Sequence, residues 1–241
     1  MEEDFSDWTG VERRVNPREN NIVVVSHAES IGNSEGIFQG QTFDSDLSEL
    51  GKKQAKALAK RLKIFGARKI ITSPLKGSRQ TAQEVADTAR CEIEINEKII
   101  ETNHGVWEGR HKVWIRENFT DIFDAWLQTP SQVRFPDGES FMETIQRTLD
   151  FLENTDFEPN SVVITHDNIL RVMISLISNS DIDKMWEISL EAAALNFLEV
   201  NKVNQKNVFR VLKLNDTNHL VGLRNDVKKT HSLAYNRIKE I

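Results

Sequence analysis

Short, strongly apolar runs alternate with segments of helical periodicity along most of the chain. Residues 22–25 and 162–164 are β-branched runs of the kind that forms strands buried on both faces of a sheet. The predicted strands are 22–25, 69–72, 92–95, 161–165, 195–200 and 208–214, and the predicted helices are 48–62, 75–88, 140–153 and 169–177. Strands that alternate with helices predict an α/β fold, a three-layer sandwich in which helices cover both faces of a mostly parallel sheet.

One domain with a helical insertion accounts for this order of elements. We place the domain at residues 21–223, because no repeat and no Gly/Ser linker divides them. Residues from about 110 to 135 hold an amphipathic, aromatic-rich segment, which predicts a helical insertion over the sheet that shapes the mouth of a pocket. A polar extension, 1–20, precedes the domain, and a tail of mixed charge, 224–241, follows it as a candidate terminal helix.

Composition narrows the class of function. The 241-residue chain carries a formal net charge of -6, which argues against nucleic acid as its main partner. A single cysteine, Cys91, excludes an internal disulfide and any multi-cysteine metal site. The acidic first residues lack the features of a signal peptide, and no apolar run approaches the roughly 18 residues of a membrane span. We therefore expect a soluble, cytoplasmic protein with no cofactor and no membrane partner, and leave a homo-oligomer open.

Two histidines directly follow buried runs. His27 ends the stretch "VVVSH" and His166 ends the stretch "VVITH". Ligands of open α/β sheets bind beyond the carboxyl ends of the strands, so parallel neighbouring strands would bring both imidazoles to one crevice. One histidine of this kind is more often structural than catalytic, whereas two in equivalent positions indicate a functional site.

Further motifs follow in a fixed order. Together with the histidine stretches they resemble the histidine phosphatase superfamily, in its phosphoglycerate mutase-like branch, and the resemblance runs from about residue 21 to residue 220. Asn33 follows His27 by six residues. The other motifs are "DLSELGKKQA" (46–55), "TSPLKGSRQTA" (72–82), "ETNHGVWEG" (101–109), "PDGES" (136–140) and "THDNILR" (165–171).

The resemblance implies a two-step phosphoryl transfer on a small phosphorylated substrate. Neutral His27 would attack phosphorus and become a phosphohistidine, while His166 would donate a hydrogen bond to the phosphoryl oxygens. Glu101 would protonate the leaving oxygen and then deprotonate the incoming water. Ser30 and Asn33 would add hydrogen bonds to the phosphate, and no metal is required.

The phosphate pocket departs from the family pattern. Ser26 and Gly77 stand where the family has two arginines, and Ala28 replaces the glycine after the nucleophile. Asp167 replaces the glycine after the second histidine and adds negative charge beside an anion site. The loss of two charge-assisted hydrogen bonds costs about 3–6 kcal/mol, or roughly a hundredfold to ten-thousandfold in affinity. We therefore do not expect an ordinary phosphatase rate on an ordinary substrate.

Three functions fit these residues. The preferred one is a phosphomonoester hydrolase or phosphoryl transferase with an altered phosphate pocket, because His27, Glu101 and His166 are all retained. The second is a catalytically silent homologue that binds a ligand or a partner protein, which the loss of both arginines favours. The third is an enzyme that performs acid–base chemistry on a substrate without a phosphate dianion, with Ser26 and Asp167 as substrate contacts.

Other basic residues are candidates to replace the arginines. Lys76 lies about 100° from Gly77 around a helix, whereas Arg79 lies about 200° away and points outward. Three further bases lie in the insertion: Arg110, Lys112 and Arg116. The remaining histidines share no pattern and are predicted to be surface residues: His104, His111, His219 and His231.

Overall fold

A six-stranded mixed sheet forms the centre of the protein. The structure is a computed structural model that describes residues 20–224. Its strands are β1 (Asn21–Ser26), β2 (Lys69–Thr72), β3 (Glu92–Ile95), β4 (Ser161–Thr165), β5 (Leu195–Val203) and β6 (Lys206–Asp216). They lie in the order β3-β2-β4-β1-β5-β6. The strands β1 to β4 are mutually parallel, and β5 and β6 extend the sheet in antiparallel fashion.

Helices cover both faces of this sheet. The helices are α1 (Ile31–Glu35), α2 (Glu49–Phe65), α3 (Lys76–Ala89), α4 (Lys112–Asn118), α5 (Thr120–Gln128), α6 (Phe141–Asn154) and α7 (Asp167–Ile177). Apolar side chains of α2 and α3 share one core cluster with the sheet, and those of α6 and α7 share a second cluster with its other face. The predicted three-layer α/β sandwich with a mostly parallel sheet is confirmed.

The β-branched sequence of β1 explains its central position. Val23 and Val25 belong to the core cluster beneath α2 and α3, whereas Ile22 and Val24 belong to the cluster beneath α6 and α7. Successive side chains of a strand point to opposite faces, so an unbroken apolar run suits a strand that is covered on both sides. All four side chains are at most 1% exposed.

The late hairpin is longer than predicted. The strands β5 and β6 extend beyond the apolar runs 195–200 and 208–214, because polar residues continue the ladder as far as the pair Val203↔Lys206. Asn204 and Gln205 form the connection, and both have positive φ, 50° and 66°. Two consecutive residues with positive φ are the signature of the tight turn that matches the twist of a hairpin. Apolar periodicity alone misses such solvent-facing ends.

The predicted insertion contains α4 and α5 and has its own apolar cluster. Trp107, Phe123, Trp126 and Phe135 are buried there, together with residues of α6 and α7. The predicted extension 1–20 and tail 224–241 lie outside the described residues, apart from their inner ends. Arg224 is the described end of the tail, and its guanidinium pairs with Glu191. The limits of the domain stay a prediction.

Two positions near the end of α2 provide a test of the core. Leu62 is fully buried between helix and sheet, whereas Ile64 is 79% exposed. We expect Leu62→Ala to lower the free energy of unfolding by about 2–5 kcal/mol, and Ile64→Ala to change it by less than about 0.5 kcal/mol. Urea unfolding followed by circular dichroism measures both. Equal losses in the two variants would contradict the burial of this helix face.

Candidate active site

The two strand-end histidines face each other at the carboxyl edge of the sheet. The strands β1 and β4 pair in register up to Ser26↔Thr165, so the next residue of each strand emerges at the same level. The His27 backbone N–H donates to the Thr165 carbonyl at 2.8 Å. The centroids of the His27 and His166 rings lie 5.1 Å apart, with 70° between the ring planes. The parallel pairing thus brings both imidazoles into one crevice.

His27 is held as a neutral imidazole with a defined tautomer. Its Nδ1 lies 2.7 Å from the carbonyl oxygen of Ala28, and because a carbonyl oxygen only accepts, Nδ1 carries the proton. Burial lowers the pKa of His27 below its usual value, although the Ala28 bond and the charges of Asp44 and Asp167 oppose the shift. The Nε2 atom therefore keeps its lone pair at neutral pH, as a nucleophile requires.

His166 is oriented by two serines. Its Nε2 lies 2.7 Å from Ser73 Oγ and 3.3 Å from Ser78 Oγ. Nδ1 is therefore the nitrogen available to a ligand. Burial, with a smaller effect of the neighbouring His27, holds the pKa of His166 well below its usual value, so this ring is also neutral.

Glu101 is a buried carboxyl group at the same cavity. It is 9% exposed, and its Oε1 accepts a hydrogen bond from the Thr102 N–H at 2.7 Å. Burial raises the pKa of Glu101 to about 8, and the Thr102 bond only partly offsets the effect. Arg147 holds the backbone segment that precedes Glu101, because its Nη1 donates to the carbonyls of Lys98 and Ile100 at 2.9 and 2.5 Å. Glu101 therefore holds a proton near neutral pH, as a general acid must.

These three groups form the floor of a cavity of roughly 220 Å³. Its polar floor also includes Ser26, whereas the wall is largely apolar. The apolar and aromatic side chains of the wall are Ile37, Phe38, Leu75, Phe123, Trp126, Leu127 and Trp186. The predicted catalytic residues His27, Glu101 and His166 thus lie together in one concave site.

The four predicted substrate contacts differ in their positions. Ser26 and Asp167 line the cavity, and Asp167 also accepts from Arg171 Nε at 2.8 Å. Asn33 lines it too, although its Oδ1 accepts from the backbone N–H and the hydroxyl of Ser30. Ser30 lies outside the lining, because its hydroxyl caps α1 by accepting from the Asn33 N–H. The capping box, rather than the cavity, accounts for its position.

Ser26 has a free hydroxyl. The residue is 6% exposed and lines the cavity, and within residues 20–224 its Oγ makes no hydrogen bond. Ser26 can therefore form a hydrogen bond to a molecule bound in the cavity.

Gly77 is packed against the His27 ring. A Cβ atom at this position would lie 2.9 Å from His27 Nδ1, which is closer than side-chain contacts allow, and 3.2 Å from its Cε1, which is a tight contact. A side chain at position 77 would therefore require the imidazole to shift from its observed position.

Lys112 is the one cationic side chain in the cavity lining within the described part of the chain. It is half-buried, and burial lowers its pKa while the charge of Asp167 opposes that effect. The other candidates lie elsewhere. Lys76 is exposed and its Nζ donates to the Asp44 carbonyl at 3.4 Å, Arg79 is exposed, and the Arg110 guanidinium lies over the Trp114 ring.

The prediction that His104 lies at the surface is wrong. It is 2% exposed and lines the cavity, and its Nδ1 donates to the Gln39 carbonyl at 2.7 Å. Asn168 Nδ2 lies 3.1 Å from its other ring nitrogen. Burial lowers the pKa of His104 to about 4, so the ring is neutral. The only feature of the sequence that could have indicated its position at the cavity is its spacing of three residues from Glu101.

The other three histidines lie elsewhere. His111 is exposed, as predicted, whereas His219 is half-buried against the Ala193 carbonyl. The third, His231, lies outside the described residues.

Glu108 holds the loop that closes one side of the cavity. Its Oε1 accepts from the backbone N–H groups of Gln41 and His104, and its Oε2 accepts from those of Thr42 and Phe43. These bonds keep the pKa of Glu108 below its usual value against the opposing effect of burial. A fixed carboxylate thus positions Gln39 and the rest of this lining segment.

The described residues contain neither a membrane-spanning helix nor a metal-binding cluster. Every helix between residues 20 and 224 is too short or too polar to cross a bilayer. In the same range, no group of three or more His, Cys, Asp and Glu side chains is arranged to hold a metal ion.

Comparisons with known proteins agree on one family. The family model described as "Histidine phosphatase superfamily (branch 1)" matches residues 22–217. Phosphoserine phosphatase 1 of Hydrogenobacter thermophilus is 35% identical over 202 residues, which cover 83% of this chain and 93% of that protein. "Probable phosphoglycerate mutase GpmB" of Cronobacter sakazakii is 31% identical over 65% of this chain and 74% of its own length. The solved structure of Bacillus stearothermophilus YhfR is 26% identical, covers 83% of this chain and 98% of its own, and gives a TM-score of 0.75.

Gly77→Ala tests the packing of His27. Helix propensity alone would make this substitution stabilising by about 1 kcal/mol, but the added methyl group collides with the imidazole. We expect the His27 ring to move and its bond to the Ala28 carbonyl to break, which changes the tautomer signals of the ring nitrogens in long-range ¹H–¹⁵N spectra. Arg79→Ala, at an exposed position of the same helix, is the control. Unchanged His27 signals in Gly77→Ala would contradict the close packing.

Glu101→Gln tests the raised pKa. The pKa of Glu101 is about 8 in the folded protein against an ordinary value of 4.5, so the folded state binds the proton more tightly and loses stability as pH rises between these values. Glutamine does not titrate. We expect the stability of the variant relative to the parent to increase with pH above 4.5, by up to about 1.4 kcal/mol per pH unit. Urea unfolding from pH 4.5 to 8 measures the difference, and a constant difference would refute the shift.

Proposed function

Because the chain belongs to the histidine phosphatase superfamily, we propose that it hydrolyses a small phosphomonoester through a phosphohistidine formed on His27. Membership confirms the resemblance and the enzyme class predicted from the sequence, a phosphatase of the phosphohistidine type. The observation that carries the residue assignment is the convergence of neutral His27, protonated Glu101 and His166 on one cavity.

The first step transfers the phosphoryl group to the protein. The Nε2 lone pair of His27 forms a bond to phosphorus while the bond from phosphorus to the ester oxygen breaks. Glu101 gives its proton to the departing oxygen, so the alcohol leaves neutral and the carboxyl group becomes a carboxylate. A pKa of about 8 supports this role, because the acid is protonated at neutral pH.

The second step releases inorganic phosphate. Water attacks the phosphorus of the phosphohistidine, and the carboxylate of Glu101 takes one of its protons. The phosphorus–nitrogen bond breaks and its electron pair returns to His27 Nε2, which restores the starting state. His166 supports both steps: if Ser73 donates to its Nε2, the Nδ1–H is free to donate to a phosphoryl oxygen.

Lys112 and Ser26 replace part of the lost cationic pocket. Lys112 reaches the cavity from α4, and its ammonium is close enough to Asp167 for the two charges to interact. The Ser26 hydroxyl adds a neutral donor at the floor. Two charge-assisted arginine contacts are thus exchanged for one lysine and one hydroxyl, which supports a slow enzyme rather than an inactive one.

A second function is favoured by the acidic side chains of the cavity. Asp44 and Asp167 both lie close enough to His27 to raise its pKa, and a phosphate dianion would meet these charges. The same three catalytic groups would then act as acid and base on a substrate without a phosphate dianion. If they catalyse no reaction, the protein is a silent homologue that binds a ligand in this cavity. A cytoplasmic location, a homo-oligomer and the absence of other partners stay predictions from the sequence.

Substitution of the three catalytic groups tests the proposal. Phosphoserine is one test substrate, because a relative is named for it, and an alkyl and a nitrophenyl phosphate are the others. We expect His27→Ala to abolish turnover of all three, and His111→Ala, at an exposed histidine, to leave it unchanged. Glu101→Gln should slow phosphoryl transfer from the alkyl ester to the protein by about 10²–10⁴ and transfer from the nitrophenyl ester much less, because nitrophenolate leaves without protonation. Rapid-quench measurement of this first step separates it from the hydrolysis of the phosphohistidine, which needs Glu101 as a base for every ester.

The phosphohistidine and the pH profile give independent readouts. An acid-labile, alkali-stable phosphoryl group should be trapped on the parent protein by rapid quenching and should be missing from His27→Ala. The rate on the alkyl ester should fall as pH rises through about 8, where Glu101 loses its proton. Turnover that survives His27→Ala would overturn the assignment of the nucleophile, and no turnover in the parent protein would favour the second function.

A further inference from the structure

Apolar and aromatic side chains make up much of the cavity lining beside the catalytic groups. Helix α5 contributes Phe123, Trp126 and Leu127, and the 3₁₀ turn Ile182–Glu187 contributes Trp186. Phe38 completes this surface from the loop that Glu108 holds. The lining also includes polar side chains away from the histidines, among them Gln39, Ser45 and Asn168, but carbon makes up the larger part of its surface.

Contacts among the side chains of this wall hold Trp126 and Trp186 in a defined arrangement. The rings of Trp126 and Trp186 lie 5.1 Å apart at 82°, which forms a right-angled corner. The indole N–H of Trp186 donates to the Trp126 carbonyl at 2.8 Å, and the Arg171 guanidinium lies 5.2 Å from the centre of the Trp186 ring. A preformed apolar corner binds an apolar group without the entropy cost of ordering the wall.

The charges of the lining exclude a second anionic group on the substrate. Lys112 is the one cationic side chain of the lining in the described part of the chain, and the phosphoryl group needs it. A carboxylate or second phosphate would find no second cationic side chain in the lining that the described residues form and would meet the carboxylates of Asp44 and Asp167, of which Asp167 is paired with Arg171. Like charges held close together in a partly buried site repel strongly.

We propose that the substrate is a phosphomonoester whose organic part is apolar and carries no second anionic group, with the half-buried side chains of Phe38, Leu127 and Trp186 as its binding surface. This inference rests on the phosphatase function proposed above and adds the identity of the leaving group. It sets the chain apart from a phosphatase for an amino-acid ester or a sugar-acid ester, whose organic part is small and charged.

A chain-length series of primary alkyl phosphates, from ethyl to hexyl, tests the apolar surface. The basicity of the leaving alcohol hardly changes along the series, so kcat/KM reports binding of the alkyl chain. We expect kcat/KM to rise by about fourfold per methylene until the cavity is filled. Hexyl phosphate should also exceed 5-carboxypentyl phosphate and phosphoserine by at least about tenfold. A flat or falling series, or phosphoserine as the best substrate, would overturn the inference.

Two substitutions in α5 assign the effect to the wall. Leu127→Ala removes a side chain of the lining, and we expect it to lower the ratio of kcat/KM for hexyl phosphate to that for ethyl phosphate by about fivefold to tenfold. Ile122→Ala removes a side chain of similar size from the same helix that packs into the core outside the lining, so the chain-length dependence should persist. Equal effects of the two variants would place the alkyl chain elsewhere.

Binding separates a failure of this inference from a failure of the proposed function. Hexylphosphonate cannot be hydrolysed, and its binding near Trp126 and Trp186 should change tryptophan fluorescence, with tighter binding than ethylphosphonate. If no ester is turned over but the phosphonates bind in this order, the phosphatase function fails and the apolar surface stands. If esters are turned over without a chain-length dependence, the function stands and the apolar surface is refuted.

Discussion

The parallel pairing of β1 with β4 is the constraint on which the site depends. Three consecutive levels of apolar partners, from Val23↔Val162 to Val25↔Ile164, bring the polar ends of both strands to one level. A shift of one residue would turn every side chain of the strand to the other face and place Ser26 or Ala28 where His27 now lies. The burial of β1 and β4 on both faces therefore specifies the register, and the register places the two imidazoles 5.1 Å apart. Hydrophobic packing of the two strands thus determines the relative position of the two imidazoles.

Burial also decides the protonation states. Desolvation is the largest effect on the pKa of His27, His166 and Glu101, and in each case it favours the neutral form. A neutral imidazole is a nucleophile and a neutral carboxyl group is an acid, so one physical cause prepares both sides of the proposed reaction. The same burial would oppose the binding of a phosphate dianion unless the site supplied positive charge. Lys112 can supply that charge, because it lines the cavity.

The pattern of apolar and polar residues in short segments predicted the central strands and helices and the crevice that holds the two strand-end histidines. The β-branched runs gave the central strands, Ser48 marked the start of α2, and the strand-end histidines indicated the crevice. What could not be predicted depends on contacts between distant segments. His104 is buried because the loop around Gln39 folds over it, and Trp186 reaches the cavity from a turn more than fifty residues beyond Trp126. Ser30 shows the opposite limit, since the same hydroxyl suits a phosphate or a helix cap, and only the structure shows which one it contacts.

The two positions at which the resemblance predicts arginines differ physically. At position 77 the glycine packs so closely against the His27 ring that any side chain there requires the ring to shift. At position 26 the small side chain places a hydroxyl in the cavity lining. The positive charge of the site now comes from Lys112 in α4, next to the aromatic wall rather than within the sheet edge. Charge and apolar surface therefore enter the cavity on the same helical segment, and a change in that segment alters affinity for the phosphoryl group and for the leaving group together.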